Sequence, residues 1–244
     1  MNEHISKRFD NELNKLRYRL VSMGTLVQQQ IEFTIKAIVS DNMDYAKVVL
    51  ELEEKINSLD IKIEKQCVRV IALHQPVARD LRLILTGYQI NIYLEIMGDM
   101  ATNIVKDFME MLTPPELIED TKIPEMAQKI QLMINKLLDS FIDMDFELAM
   151  DAIRLEEEID KMHKENFEIL TNKMMYNYRI VQPCSYLLDV NRNFQILARQ
   201  TRSIAQELVY LFDAKVAKHK EIDQIIQKRS GTEIKENIKT ENQE

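Results

Sequence analysis

Glycine occurs four times in 244 residues, and this scarcity constrains the fold more than any other feature of the chain. Sandwiches, barrels and doubly wound α/β folds of this length need many tight turns, and such turns take glycine for positive φ. Four glycines do not supply them, nor do they build a glycine-rich nucleotide loop. Hydrophobic residues make up 45% and charged residues 30%, with 14 Met and no Trp. That balance suits long amphipathic helices. The expectation is an all-α protein with few, long elements.

The length allows one or two domains and ample chain to bury a core without staples. Thirty-two basic against 40 acidic residues leave a net charge of −8. A broad nucleic-acid face needs an excess of phosphate-neutralising charge, so no nucleic-acid partner is expected. The acidic balance is compatible with a divalent-cation binder and equally with ordinary solubility. Cys67 and Cys184 lie far apart with no CxxC partner, as in a reduced, intracellular protein. The first 30 residues hold no apolar secretory segment, and the uncharged stretch 83–94 is too short, and too rich in Thr86, Gln89 and Asn91, to span a bilayer. A soluble, cytoplasmic protein is expected.

A first helix is read from Phe9, Leu13, Leu16, Leu20, Met23, Val27, Ile31, Ile35 and Ile38, a spacing of three and four sustained for about eight turns. Gly24 within it suggests close packing against another helix. Ser40, Asp41 and Asn42 read as a turn with capping side chains. A second helix follows over about 45–74, with Val48, Leu52, Ile56, Leu59 and Ile63 on one face, and ends at Gln75-Pro76. A third runs from near Val77 to about Leu112. Thr113-Pro114-Pro115 and Pro124 mark the one strong linker.

The second half repeats the first. AKVVLELEEKINSL (46–59) aligns without gaps on AMDAIRLEEEIDKM (149–162), an offset of 103. Upstream at that offset, Ile31, Ile35 and Ile38 meet Ile134, Leu138 and Phe141. LEIMGDMATNIVKDFMEML (94–112) aligns on FQILARQTRSIAQELVYLF (194–212) at an offset of 100. Apolar positions match in class and polar ones diverge, as in a duplicated unit. The expected architecture is two tandem three-helix bundles, residues 1–113 and 124–212, with 213–244 a mobile tail.

From 83 to 105 the third helix carries only two ionised residues, Glu95 and Asp99. With Asn103 four further on, they share one stripe, and Ile90, Leu94, Met97, Ala101 and Ile104 lie opposite. The second helix offers Glu53, Asn57, Asp60 and Glu64 on a stripe offset from its apolar face. Oxygen ligands four apart on adjacent antiparallel helices can clamp a hard cation without imidazole or thiolate; the same pattern also describes a solvated acidic face. Asp160-x-x-His163 has the acid-x-x-His spacing of one half of a ferritin-like carboxylate site, but His4, His74 and His219 do not provide a second copy. No GxSxG or other nucleophile–base pairing is present. The 14 Met read as core filling, or as an adaptable groove for a partner helix.

LEIMGDMATNI closely resembles the LERIGDxAxNI signature of the PhoU family of phosphate-uptake regulators. FDNELNKLRYRLVSMGTLV and IALHQPVARDLRLIL resemble that family's first helix and the junction of its second and third. The resemblance covers about residues 5–212. It implies a fold of two three-helix bundles and a non-enzymatic, cytoplasmic adaptor, usually dimeric, that acts on the phosphate ABC transporter ATPase and the phosphate sensor histidine kinase. Membrane contact would come only through those partners. It implies metal binding too, iron or zinc, with magnesium or manganese as further candidates, through paired acidic-x-x-x-Asp motifs. Arg79, Asp80 and Arg82, on the first turns of the third helix, fall where the family presents a partner-facing surface.

Carried over by residue, the first-half site comprises Glu53, Asn57, Glu95, Asp99 and Asn103, with Asn57 where an Asp is common. In the second half Glu156 and Asp160 keep the second-helix motif. Gln195, Arg199 and Ser203 replace the acidic third-helix set. A guanidinium does not ligate a cation, so one metal site and one remnant are expected, with Arg199 paired to Glu156 or Asp160. The alternative reading is a helical scaffold of the same fold that serves another partner without transporter control.

Overall fold

The computed structural model describes the backbone of residues 2–110 and 115–212, and side chains over 7–109 and 116–212. The tail expected over 213–244 lies outside the described residues, as does Thr113-Pro114 of the linker. Among the described residues seven α-helices follow one another: α1 (Asn2–Ser40), α2 (Met43–His74), α3 (Ala78–Glu110), α4 (Pro115–Glu119), α5 (Ile123–Asp143), α6 (Phe146–Tyr176) and α7 (Val181–Phe212). A 3-10 turn, Tyr178–Ile180, precedes α7. Among the described residues there is no strand, in keeping with the glycine argument.

The turns repeat as the helices do. Asp41 adopts a left-handed φ of 48°, and Asn42 then caps α2 by accepting the Asp44 N–H. In the second half Met144 is left-handed at φ 56°, and Asp145 caps α6 by accepting the N–H groups of Glu147 and Leu148. A carboxylate or amide oxygen at the cap satisfies backbone donors that the first helical turn leaves open. At the end of α2, Gln75 is left-handed and returns its N–H to Ile71 O, ahead of Pro76.

α1, α2 and α3 pack as one bundle, and α5, α6 and α7 as the other. The bundles meet through α3 against α7 and α1 against α5. Both pairs are antiparallel. Arg82, early in α3, lies over the ring of Tyr210, late in α7, at 5.8 Å, while Met97 Sδ lies 4.0 Å from the Thr201 hydroxyl. Between α1 and α5, Gln28 Nε2 donates to Asn135 Oδ1 at 2.6 Å. The halves are therefore related by an approximate two-fold axis, which a duplicated sequence produces naturally.

Leu16, Leu20, Met23 and Ile31 of α1, Ile56 and Ile63 of α2, and Ile84, Met97 and Ile104 of α3 are fully buried. Four expected core positions differ. Phe9, Ile35, Val48 and Leu59 are only half-buried, whereas Gln30, Thr34 and Val49 are fully buried. A helix facing two neighbours buries a band wider than one 3-4 stripe. The linker also differs from a plain spacer: α4 docks with Leu117 and Ile118 buried. Beyond it, Asn166 Oδ1 accepts the Lys122 N–H at 2.6 Å. Both cysteines are buried and free, and burial pushes the Cys67 thiol up to about 11, as expected for packed thiols.

Gly24 is where α1 meets α5: a Cβ there would lie 2.6 Å from Leu138 Cδ2. Alanine is tolerable because only the end of one flexible side chain must move, and it gains helix propensity. Gly24→Leu is expected to wedge the bundles apart at a cost of about 2–3 kcal/mol, lowering the thermal midpoint by about 5–10 °C. Circular dichroism melting of the two variants checks this. Equal midpoints would refute the close approach.

Candidate functional site

The first-half carboxylates lie where α3 faces α2, and α1 supplies the clamp. Glu53 Oε2 accepts from Gln30 Nε2 at 2.8 Å and from the Thr102 hydroxyl at 3.1 Å. Gln30 Nε2 also reaches Val49 O at 3.3 Å, so one buried amide ties α1 to α2 and α3. Gly98 makes room for this. A Cβ there would stand 3.2 Å from both Gln30 Oε1 and Glu53 Oε2, tight enough to push the amide and carboxylate aside. Two turns earlier on α3, Asn91 Nδ2 donates to Asp60 Oδ1 at 2.6 Å.

Charges of one sign crowd this face. Glu95 is raised above the ordinary carboxylate value by burial and then by Asp99, Asp60 and Glu53. Asp99 is raised by burial and by the charge and hydrogen bond of Glu53, with Lys106 opposing. Both shifts come first from burial and then from the crowding of like charges. Asp99, Asn57 and Asn103 are exposed, while Glu53, Asp60 and Glu95 are half-buried. Among the described residues no three His, Cys, Asp or Glu side chains are gathered tightly enough to hold a metal ion as they stand. The donor set nevertheless suits a hard cation: carboxylate and amide oxygens, with Gln30 Oε1 and Asn91 Oδ1 as buried acceptors without a hydrogen-bond partner. The exposed Asp99, Asn57 and Asn103 would have to turn inward to complete it.

Asp60, Gln30 and Thr102 are absent from the site set read from the sequence. Asp60 was visible on the α2 stripe, though outside the acidic-x-x-x-Asp pattern. Gln30 and Thr102 carry no sequence signal, because a neutral side chain on a core face reads as packing.

The second half has the same geometry with another chemistry. Glu156, nearly buried, is held by Arg202 Nη1 at 3.0 Å. Arg202 stands one hundred residues after Thr102, so a guanidinium has taken the place of the hydroxyl that donates to Glu53. Asp160 Oδ1 accepts from Gln195 Nε2 at 2.5 Å and from Arg199 Nη2 at 3.4 Å. Of the two partners expected for Arg199 it takes Asp160, and Glu156 goes to Arg202, which sequence reading missed. Burial alone would raise the Asp160 carboxyl, but Gln195, Arg199 and Lys164 together hold it below its ordinary value. This set does not fit a cation, since positive charge already occupies the place of one. His163 packs against α7, with Nδ1 3.3 Å from Asn191 O.

The model of the PhoU domain matches residues 20–108 and again 123–208, one match per bundle. The chain belongs to the PhoU family. It is similar to the phosphate-specific transport system accessory protein PhoU homolog of Pseudomonas putida, 27% identical over 235 residues that cover 96% of this chain and 92% of that one. The Aquifex aeolicus homolog of the same name is 30% identical over 211 residues, covering 86% and 96%. Among solved structures, PhoU from Pseudomonas aeruginosa matches with a TM-score of 0.77 at 26% identity, over 83% of this chain and 98% of that chain. PhoU from Streptococcus pneumoniae matches in fold with a TM-score of 0.74 at 23% identity, over 86% and 100%. Among the described residues of this PhoU-family chain no helix is long and apolar enough to cross a membrane.

A carboxylate whose folded-state pKa is raised stabilises the fold while protonated. That contribution is lost as pH rises through the raised value, leaving like-charge repulsion at neutrality. Asp99→Asn is therefore expected to raise the metal-free thermal midpoint at pH 7 by about 1–2 °C, with the advantage over the parent shrinking toward pH 4. Paired melts across that range check this; an advantage that grows on acidification would show the opposite sign of coupling.

Proposed function

We propose that this PhoU-family chain is a non-enzymatic accessory protein that regulates phosphate uptake and phosphate signalling. The observation that carries this reading is the pair of PhoU-domain matches, one on each bundle, together with end-to-end similarity to proteins named as phosphate-specific transport system accessory proteins. It would act from the cytoplasm on the ATPase of the phosphate ABC transporter and on the phosphate sensor kinase, damping uptake when phosphate is sufficient, and would do so as a homodimer. The rigid, doubly capped bundles suit a protein that presents a fixed surface. The absence of a nucleophile–base pair from the sequence suits an adaptor better than a catalyst.

Within this reading, Glu53, Asp60, Glu95 and Asp99, with Asn57 and Asn103, hold a metal cation in the first half only. The cation would supply the positive charge that Arg199 and Arg202 supply in the second half, and so join α2 to α3. Oxygen-only donors favour magnesium, manganese or iron; zinc would be held with fewer of its preferred ligands.

Deleting the gene and measuring phosphate uptake and alkaline phosphatase in phosphate-rich medium tests the regulatory role. Derepression of phosphatase is expected; an unchanged phosphate response would favour the scaffold reading. For the metal, elemental analysis of protein purified without chelator is expected to find about one cation or small cluster per chain, lost in Glu95→Gln/Asp99→Asn. Equal metal in both proteins would overturn the site.

A further inference from the structure

The cleft between α6 and α7 that replaces the second cation site has a sign of its own. Its volume is about 730 Å³, and Lys161, Lys164, Arg199 and Arg202 line it. Two basic residues three apart on α6 face two basic residues three apart on α7, like the jaws of a clamp. Glu156, Glu157 and Asp160 share the lining, so four cations meet three carboxylates in a chain whose net charge is −8. The counterparts of these four residues in the first half, at the offsets of 103 and 100, are Ser58, Ile61, Asp99 and Thr102, none of them basic.

Local ion pairing does not use up the donors. Lys161 stands 3.9 Å from Glu165 and Lys164 stands 3.9 Å from Asp160, both beyond hydrogen-bonding reach. Their side chains are 79% and 73% exposed. Arg199 places a single N–H on Asp160, at 3.4 Å, and a guanidinium has five donors in a fixed fork. Asp160 is meanwhile supplied by Gln195 and Glu156 by Arg202, so two of the three carboxylates are already committed, and Arg202 with them. Ser203 donates its hydroxyl to Arg199 O and adds nothing toward a ligand. Ammonium and guanidinium groups converging on an open cleft suit a tetrahedral oxyanion, whose several acceptor oxygens take Arg and Lys donors at once.

We infer that the second-half cleft binds a phosphate-type oxyanion, either free phosphate or a small phosphomonoester, through Lys161, Lys164 and Arg199, while Arg202 holds Glu156. The duplicated bundles then carry sites of opposite sign at one structural position, a cation site in the first and an anion site in the second. The anion site stands whether or not the first-half metal does.

Equilibrium dialysis of the full chain against labelled inorganic phosphate, and separately against glycerol phosphate, tests this directly. Thermal melts in each, against chloride at matched ionic strength, provide a second readout. Saturable binding of about one anion per chain and an upward midpoint shift of about 2–4 °C are expected with one or both ligands. Binding of the ester alone would assign the cleft to phosphomonoesters and still support it. Lys161→Ala/Lys164→Ala removes only exposed ammonium groups and is expected to weaken binding about tenfold. Adding Arg199→Gln should abolish it, with the far-UV spectrum unchanged. Glu95→Gln/Asp99→Asn should bind as the parent does. No saturable binding of either anion, equal binding by parent and triple variant, or loss in the first-half variant would each overturn the proposal.

Discussion

α3 and α7 pack antiparallel along the middle of the molecule, and the rest of the structure depends on that contact. α3 is covered by α1, α2 and α7, and α7 by α3, α5 and α6, so each helix is hemmed in by three neighbours. Burial on several sides explains why α3 carries only Glu95 and Asp99 as ionised residues between positions 83 and 105. A charge tolerated on such a helix has to sit at the margin where it faces α2 and water. The candidate sites are therefore confined to one margin of each bundle, and the two-fold arrangement of the bundles fixes their relation.

Glu53 and Glu156 show how one position accommodates different electrostatics. Each is a carboxylate drawn partly out of water, and each needs donors to offset the cost of desolvation. In the first half the donors are neutral, Gln30 and Thr102, so the negative charge of Glu53 persists and raises its neighbours. In the second half Arg202 neutralises Glu156 outright, and Met133 stands where Gln30 does. Replacing a hydroxyl by a guanidinium at the Thr102 position thus reverses the charge beside the carboxylate without altering the helices that form the cleft.

Much of the fold was legible because helix formation here is a matter of repeated local pattern. The 3-4 spacing, the Asp41-Asn42 turn and the Gln75-Pro76 stop are signals a few residues long, and the 103-residue offset repeated the first two of them. The candidate metal ligands were legible as well, being acids at i and i+4 beside a recognisable signature. Three things were not. Gln30 looked like any polar residue on a long helix until α2 and α3 closed over it. Arg202 lay one residue outside the pattern of positions compared between the halves. The helix at Pro115–Glu119 was hidden by the prolines around it, since Pro115 reads as linker yet is well suited to the first turn of a helix.

The sequence by itself determined that the chain is helical, duplicated and acidic, and that its second half has exchanged acids for Gln195 and Arg199. These follow from composition and spacing, which act over one or two turns of chain. Only the tertiary structure decided which carboxylate meets which partner: Glu53 with Gln30 and Thr102, Glu156 with Arg202, Asp160 with Gln195 and Arg199. Those pairings join residues from 23 to 49 positions apart, and they depend on how helices rotate about their axes when their apolar faces close. A turn of a few tens of degrees would leave the sequence pattern intact and change every partner, because hydrogen bonds and ion pairs fall off within an ångström or two.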